Sequence, residues 1–265
     1  MIELHGAKTG NCLRVAIGLE VCATPYRVVK VDLAGGEQRS AAHLALNPAG
    51  KVPTLVERSS HAPTFVLSQS NAILLYLAER APGVLVPSDD LRLRATAYER
   101  FFYFATDVIA PSHAAFSLRD LEPRARGMLE QRAVANLVAA ERFVAEDAFM
   151  AGERFTLADI AAVTIAQSMF QTVAWEQSPK LRLWYERVMR LPSVVRGLHA
   201  YNGGQLVPGT SRSSRTCRCT SRSGSRAFWV CCSGEARSKV LDLDLPALRP
   251  FPRVSFVGER LGFPM

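Results

Sequence analysis

No apolar stretch of the chain approaches the ~18 consecutive residues of a membrane-spanning helix, so neither a span nor a membrane partner is expected. The start, Met1-Ile2-Glu3-Leu4-His5, has no basic segment followed by an apolar one, and no signal peptide is expected from it. Cysteine is scarce: of six, only Cys12 and Cys22 precede residue 200, too few for a disulfide framework. A reduced, cytoplasmic protein is the simpler expectation. The other four form Cys217-x-Cys219 and Cys231-Cys232, with no histidine close by. That spacing fits no zinc ribbon or finger, so no metal is expected. No internal repeat is visible. No basic stripe with interleaved aromatics runs through the first 201 residues, which argues against a nucleic-acid partner.

What is present is a globular composition. The 265 residues are 48% hydrophobic and 21% charged, enough for two domains and a sizeable core. The net charge of +8 is unevenly spread. Residues 202–265 hold ten basic and four acidic side chains, which leaves 22 basic and 20 acidic in the rest. Residues 210–226 contain six Ser, five Arg, three Thr, two Cys and one Gly. Such a stretch cannot offset its ordering entropy by packing. Residues 202–265 are therefore expected to be a low-complexity basic tail outside the folded core. It is either a genuine extension or the out-of-frame end of a G+C-rich gene.

The first 80 residues alternate strand and helix patterns. Ile2–His5 is a short strand candidate, and Leu13–Leu19 places Val15, Ala16 and Leu19 on one helical face. Tyr26–Asp32 alternates and is β-branched, as a half-buried strand does, until Gly35-Gly36 breaks it. Ala41–Leu46 reads as a brief helix ended by Asn47-Pro48. Val52–Glu57 and Phe65–Leu67 read as strands, and Asn71–Arg80 as a helix stopped by Pro82-Gly83. The order βαβαββα predicts an α/β, thioredoxin-like domain over 1–80.

A Pro/Ser/Asp-rich linker over 81–90 leads to an all-helical domain over 91–201. Leu91 to about Leu118 is a long helix bent near Pro111, and Arg124–Phe149 is another. Thr156 and Asp159 have capping-box spacing, which makes Asp159 structural despite its apolar surroundings. Ser178-Pro179 opens a further helix, with serine as cap and proline at the first helical position.

Three phrases carry chemistry. Asn47-Pro48-Ala49-Gly50-Lys51-Val52-Pro53-Thr54-Leu55 is a turn entering a strand, with a proline where a strand resists one; an edge, a bulge or a cis bond is implied. Leu67-Ser68-Gln69-Ser70-Asn71 places polar residues ahead of an apolar helix. Lys8-Thr9-Gly10-Asn11-Cys12 follows the first strand and opens the first helix, whose N-terminus carries free N–H groups and positive potential. Thioredoxin-like oxidoreductases place Cys-x-x-Cys there. Thr9-x-x-Cys12 has a hydroxyl instead, which forms no disulfide but can donate to a thiolate. Thr9 also reads as a plain helix cap, and Cys12 as a small packing residue.

Together these phrases resemble the glutathione S-transferase family, in its serine-type, theta-like branch with Thr for Ser. The resemblance covers about 200 of the 265 residues and implies glutathione as co-substrate, with Thr9 or Asn11 stabilising its thiolate. Threonine's methyl restricts the rotamer, and Asn11 carries an amide donor of its own. The resemblance further implies that Val52, ahead of Pro53, offers its backbone to the cysteinyl part. Lys51 either reaches the glycine carboxylate or is simply solvated. Gln69 and Ser70 hold the γ-glutamyl end; Gln69 replaces the commoner Glu and gives up a charge. For a hydrophobic electrophile the candidates are Phe101, Phe102 and Phe104 on the long helix, together with His113. An aromatic stripe is usually core, but four consecutive aromatics cover every face, so some point to the cleft or to a dimer partner; the histidine also reads as an ordinary surface or core residue. Three functions are open: glutathione transferase, glutathione-dependent disulfide reductase, and a non-catalytic binding scaffold. A homodimer is expected from the resemblance.

Overall fold

The structure, a computed structural model, describes residues 1–144 and 147–202. The expected tail, apart from its first residue, and Cys217, Cys219, Cys231 and Cys232 lie outside the described residues.

Four short segments, each with at least one β-branched residue, supply the strands: β1 (Ile2–Gly6), β2 (Tyr26–Lys30), β3 (Thr54–Glu57) and β4 (Phe65–Ser68). They form one sheet in the order β2-β1-β3-β4. β1 runs parallel to β2, with Leu4 opposite Val28, and antiparallel to β3, with Leu4 opposite Leu55. β3 and β4 pair antiparallel. The parallel pair needs a crossover, and α1 (Gly10–Val21) provides it. α2 (Ala41–Leu46) stops at Asn47 ahead of Pro48, and α3 (Ser70–Arg80) follows β4 directly. Eight consecutive residues of α1, from Cys12 to Leu19, are buried. That is the environment of a helix packed against its surroundings on every side.

Leu85 and Val86 of the connecting segment are buried, and the Leu85 carbonyl accepts from the Leu157 N–H at 3.0 Å. The connection is thereby pinned to the helices α4 (Leu91–Tyr103), α5 (Ala110–Ser117), α6 (Pro123–Ala139), α7 (Leu157–Ser168), α8 (Pro179–Met189) and α9 (Pro192–His199). The architecture is an α/β thioredoxin-like unit followed by an all-helical one. Among the described residues no helix is long and apolar enough to cross a membrane. α9 closes back onto α1: a Cβ on Gly197 would lie 2.6 Å from the Ile17 Cα, so only glycine lets the two backbones approach this closely.

The long helix beginning at Leu91 is not uniform. A π-helical turn, Phe104–Ile109, separates α4 from α5. Pro111 has no N–H, so the Asp107 carbonyl four residues earlier loses its usual partner. The Asn136 amide of α6 donates to that carbonyl at 2.8 Å. The predicted bend near Pro111 thus takes the form of a π turn stitched to α6.

At α7 the Thr156–Asp159 capping box is present. Asp159 accepts from the Met150 N–H at 2.9 Å, the Thr156 N–H at 2.9 Å, the Thr156 hydroxyl at 3.2 Å and the Trp184 Nε1–H at 2.8 Å. Burial pushes its carboxyl up to about 6 against these four donors, so it is ionised at neutral pH. The expectation for Ser178 is corrected. Pro179 does occupy the first turn of α8, but the Ser178 side chain makes no capping bond, and its buried Oγ has no partner among the described residues. Glu141 supplies the cap instead, its Oε1 accepting from the Lys180 N–H at 2.8 Å.

Candidate functional site

The ends of β1, β3 and β4 converge where α1 and α3 begin. Thr9 is the N-cap of α1, its Oγ1 accepting from the Cys12 N–H at 3.4 Å. A hydroxyl that accepts through a lone pair keeps its own proton to donate, so the capping role and a donor role are compatible. Cys12 is completely buried, and burial raises its thiol pKa. It packs beneath the site as an inert thiol.

Arg14, one turn further along α1, is only 2% exposed. Its Nη1 donates to Asn11 Oδ1 at 3.0 Å, Ser70 Oγ at 3.0 Å and Asn71 Oδ1 at 3.4 Å. All three acceptors are neutral, and Arg14 Nε is buried without a partner among the described residues. Burial lowers the Arg14 pKa to about 10, which leaves the guanidinium charged at neutral pH. Because the Asn11 carbonyl oxygen is taken by Arg14, its NH2 group is left to donate elsewhere. Sequence reasoning passed over Arg14. Its one signal was a charged residue inside the apolar run Cys12–Leu19.

Gln69 and Ser70 meet Arg14 from the other side. Gln69 sits at φ 73°, ψ 111°, a conformation that costs a non-glycine residue energy and that clusters at ligand sites. Its side chain is exposed and makes no capping bond to α3, so among the described residues the first N–H groups of that helix have no side-chain cap. A buried guanidinium beneath an open helix N-terminus is an anion-binding arrangement.

Val52-Pro53 is a cis peptide, as the proline within the strand pattern allowed. Pro53 is buried, Val52 half-buried and Lys51 exposed. Among the described residues, neither the N–H nor the C=O of Val52 has a hydrogen-bond partner.

The substrate-side candidates divide. Phe101 and Phe104 are fully buried in the core, which corrects their assignment to a substrate surface. Tyr103, from the same aromatic run, donates to the Asn136 carbonyl at 2.7 Å and so faces α6. Phe102 is 49% exposed. His113 on α5 is open to solvent, yet desolvation lowers its pKa, and the charges of Arg14 and Lys51 act in the same direction. The ring is therefore within electrostatic reach of the N-terminal site.

A family profile described as the glutathione S-transferase N-terminal domain matches residues 10–80, and one described as its C-terminal domain matches residues 121–192. A maleylacetoacetate isomerase from Rhizobium meliloti is 35% identical over 163 residues, 57% of this chain and 72% of the relative. The disulfide-bond oxidoreductase YfcG of Escherichia coli is 27% identical over 213 residues, 75% of this chain and 94% of the relative. Among solved structures, a glutathione transferase homologue from Lodderomyces elongisporus with two glutathione molecules per subunit matches with a TM-score of 0.67 and 25% identity, covering 75% of this chain and 97% of that one. The chain belongs to the glutathione S-transferase family.

Proposed function

We propose that this protein is a cytoplasmic, homodimeric glutathione transferase. The observation that carries the reading is Arg14: a buried cation held, among the described residues, by neutral oxygens alone, beneath the uncapped N-terminus of α3. A carboxylate at Ser70 satisfies both, and the γ-glutamyl end of glutathione brings one. Gln69 accepts from its ammonium group. The free backbone of Val52 pairs with the cysteinyl part, as an added strand would, and Lys51 faces the glycine carboxylate. Thr9 or the Asn11 amide then donates to the thiol sulfur and favours the thiolate. The thiolate attacks an electrophilic carbon, forming a C–S bond as the leaving group departs with its electron pair. His113 borders the electrophile. Exposed Phe102 and Phe65, the latter on edge strand β4, serve the contact with a second copy. Glutathione binding measured by calorimetry, with turnover of a chlorodinitrobenzene-type electrophile, tests the reading; no binding by the folded chain contradicts it.

A second reading, glutathione-dependent disulfide reduction, is supported by the Thr9-x-Asn11 turn and by the likeness to a disulfide-bond oxidoreductase. Turnover of hydroxyethyl disulfide with little conjugation favours it. Binding without either activity indicates a scaffold.

A further inference from the structure

α2 is a six-residue helix with one buried side chain, and that side chain is a histidine, His43, at 5% exposure. A position whose task was packing alone would favour an apolar residue. His43 Nε2 instead lies 3.1 Å from the Lys51 carbonyl oxygen, and facing a carbonyl it must be the donor. Asn47, also buried, donates to the same oxygen through Nδ2 at 2.7 Å. Its own Oδ1 accepts from the Ala49 N–H at 3.1 Å, which fixes which way the amide faces. The Thr54 hydroxyl adds a longer contact to that oxygen at 3.5 Å. The turn between these groups closes through Gly50, whose φ of 58° is left-handed.

We propose that His43 and Asn47 are positioning residues for glutathione: they hold the Lys51 carbonyl inward and thereby turn the Val52 N–H outward to the cysteinyl carbonyl. The link is covalent geometry. The Lys51–Val52 peptide is trans and planar, so its C=O and N–H point in opposite directions. Donors that fix the oxygen on one side fix the hydrogen on the other. This explains why the Val52 N–H has no partner among the described residues while the carbonyl of the same peptide has several. The inference rests on the functional reading above.

The test uses the full chain and two ligands: S-methylglutathione, and γ-glutamylethylamide, which has the γ-glutamyl end but no cysteinyl carbonyl. His43→Phe keeps the bulk and loses the donor; His43→Gln keeps a donor. His43→Phe should weaken S-methylglutathione binding by about fivefold, the value of one neutral hydrogen bond. It should leave γ-glutamylethylamide binding unchanged, and His43→Gln should recover most of the loss. Amide exchange should show Val52 protected by S-methylglutathione in the wild type and less so in His43→Phe. Equal weakening towards both ligands, or unchanged Val52 protection in a folded His43→Phe, overturns the proposal. A folded wild type that binds neither ligand overturns the functional reading, and this proposal with it.

Discussion

Asp159 and Arg14 are both buried, charged and surrounded by polar groups, yet their surroundings differ in completeness. Asp159 takes four hydrogen bonds on its two oxygens from the helical unit around it. Arg14 spreads one nitrogen over three neutral oxygens and leaves Nε unpartnered. Close by, the Val52 backbone and the start of α3 are open as well. A saturated buried network stabilises a fold, because every desolvated group has its partner. An unsaturated one costs stability, and the fold bears that cost where a ligand completes the set. The two charges thus mark a structural centre and a binding centre.

The comparison breaks most visibly at Asp159. Asp159→Ala strands four donors, two of them on the α7 cap residue Thr156, and should cost about 3–5 kcal/mol of unfolding free energy by denaturant titration. On the other side, Gln69→Ala with Ser70→Ala should cost less stability than Asp159→Ala, the loss coming from the Arg14–Ser70 hydrogen bond. Glutathione affinity should fall by a few kcal/mol, on the order of one to three for each hydrogen bond to a charged group of the ligand, as read by calorimetry. Unchanged affinity in the folded double variant removes these residues from the site.

A pH series sharpens the structural half. Burial raises Asp159 from its ordinary 3.8 to about 6, so the folded chain holds the proton more tightly than the unfolded one. The group's contribution is fully present below about pH 3.8 and is lost as pH rises through about 6. The stability of wild type relative to Asp159→Asn should therefore fall by about 2 kcal/mol between roughly pH 4 and pH 7. A flat difference refutes the assignment. The smallest effect concerns chemistry. Thr9→Ala should raise the pKa of the bound glutathione thiol by about one to two units, and Thr9→Ser should not, as followed by thiolate absorbance. If Asn11→Ala shifts it and Thr9→Ala does not, Asn11 is the donor.

Local signals were legible in the sequence. Asn47-Pro48 ends α2, Pro53 announces the cis turn, and Thr156 with Asp159 declares the cap of α7. These are matters of a few adjacent residues. What stayed hidden depends on distant partners. Arg14 finds Ser70 across 56 positions, and the cap of α8 comes from Glu141, 39 residues before Lys180. Four consecutive aromatics, Phe101 to Phe104, cover every face of a helix, so periodicity could not separate core Phe101 and Phe104 from exposed Phe102. His43 gave one cue only: a polar residue in a short helix whose role appears once Lys51 folds back over it.

Thermal unfolding of Arg14→Met with and without glutathione tests the contrast most directly. If Arg14 belongs to an incomplete site, replacing the buried guanidinium with an apolar chain of similar length leaves the ligand-free Tm unchanged or higher. The rise in Tm that glutathione gives the wild type should then be lost. A ligand-free Tm that falls as far as that of Asp159→Ala, with the glutathione-induced rise preserved, would contradict the account and place Arg14 among the structural charges.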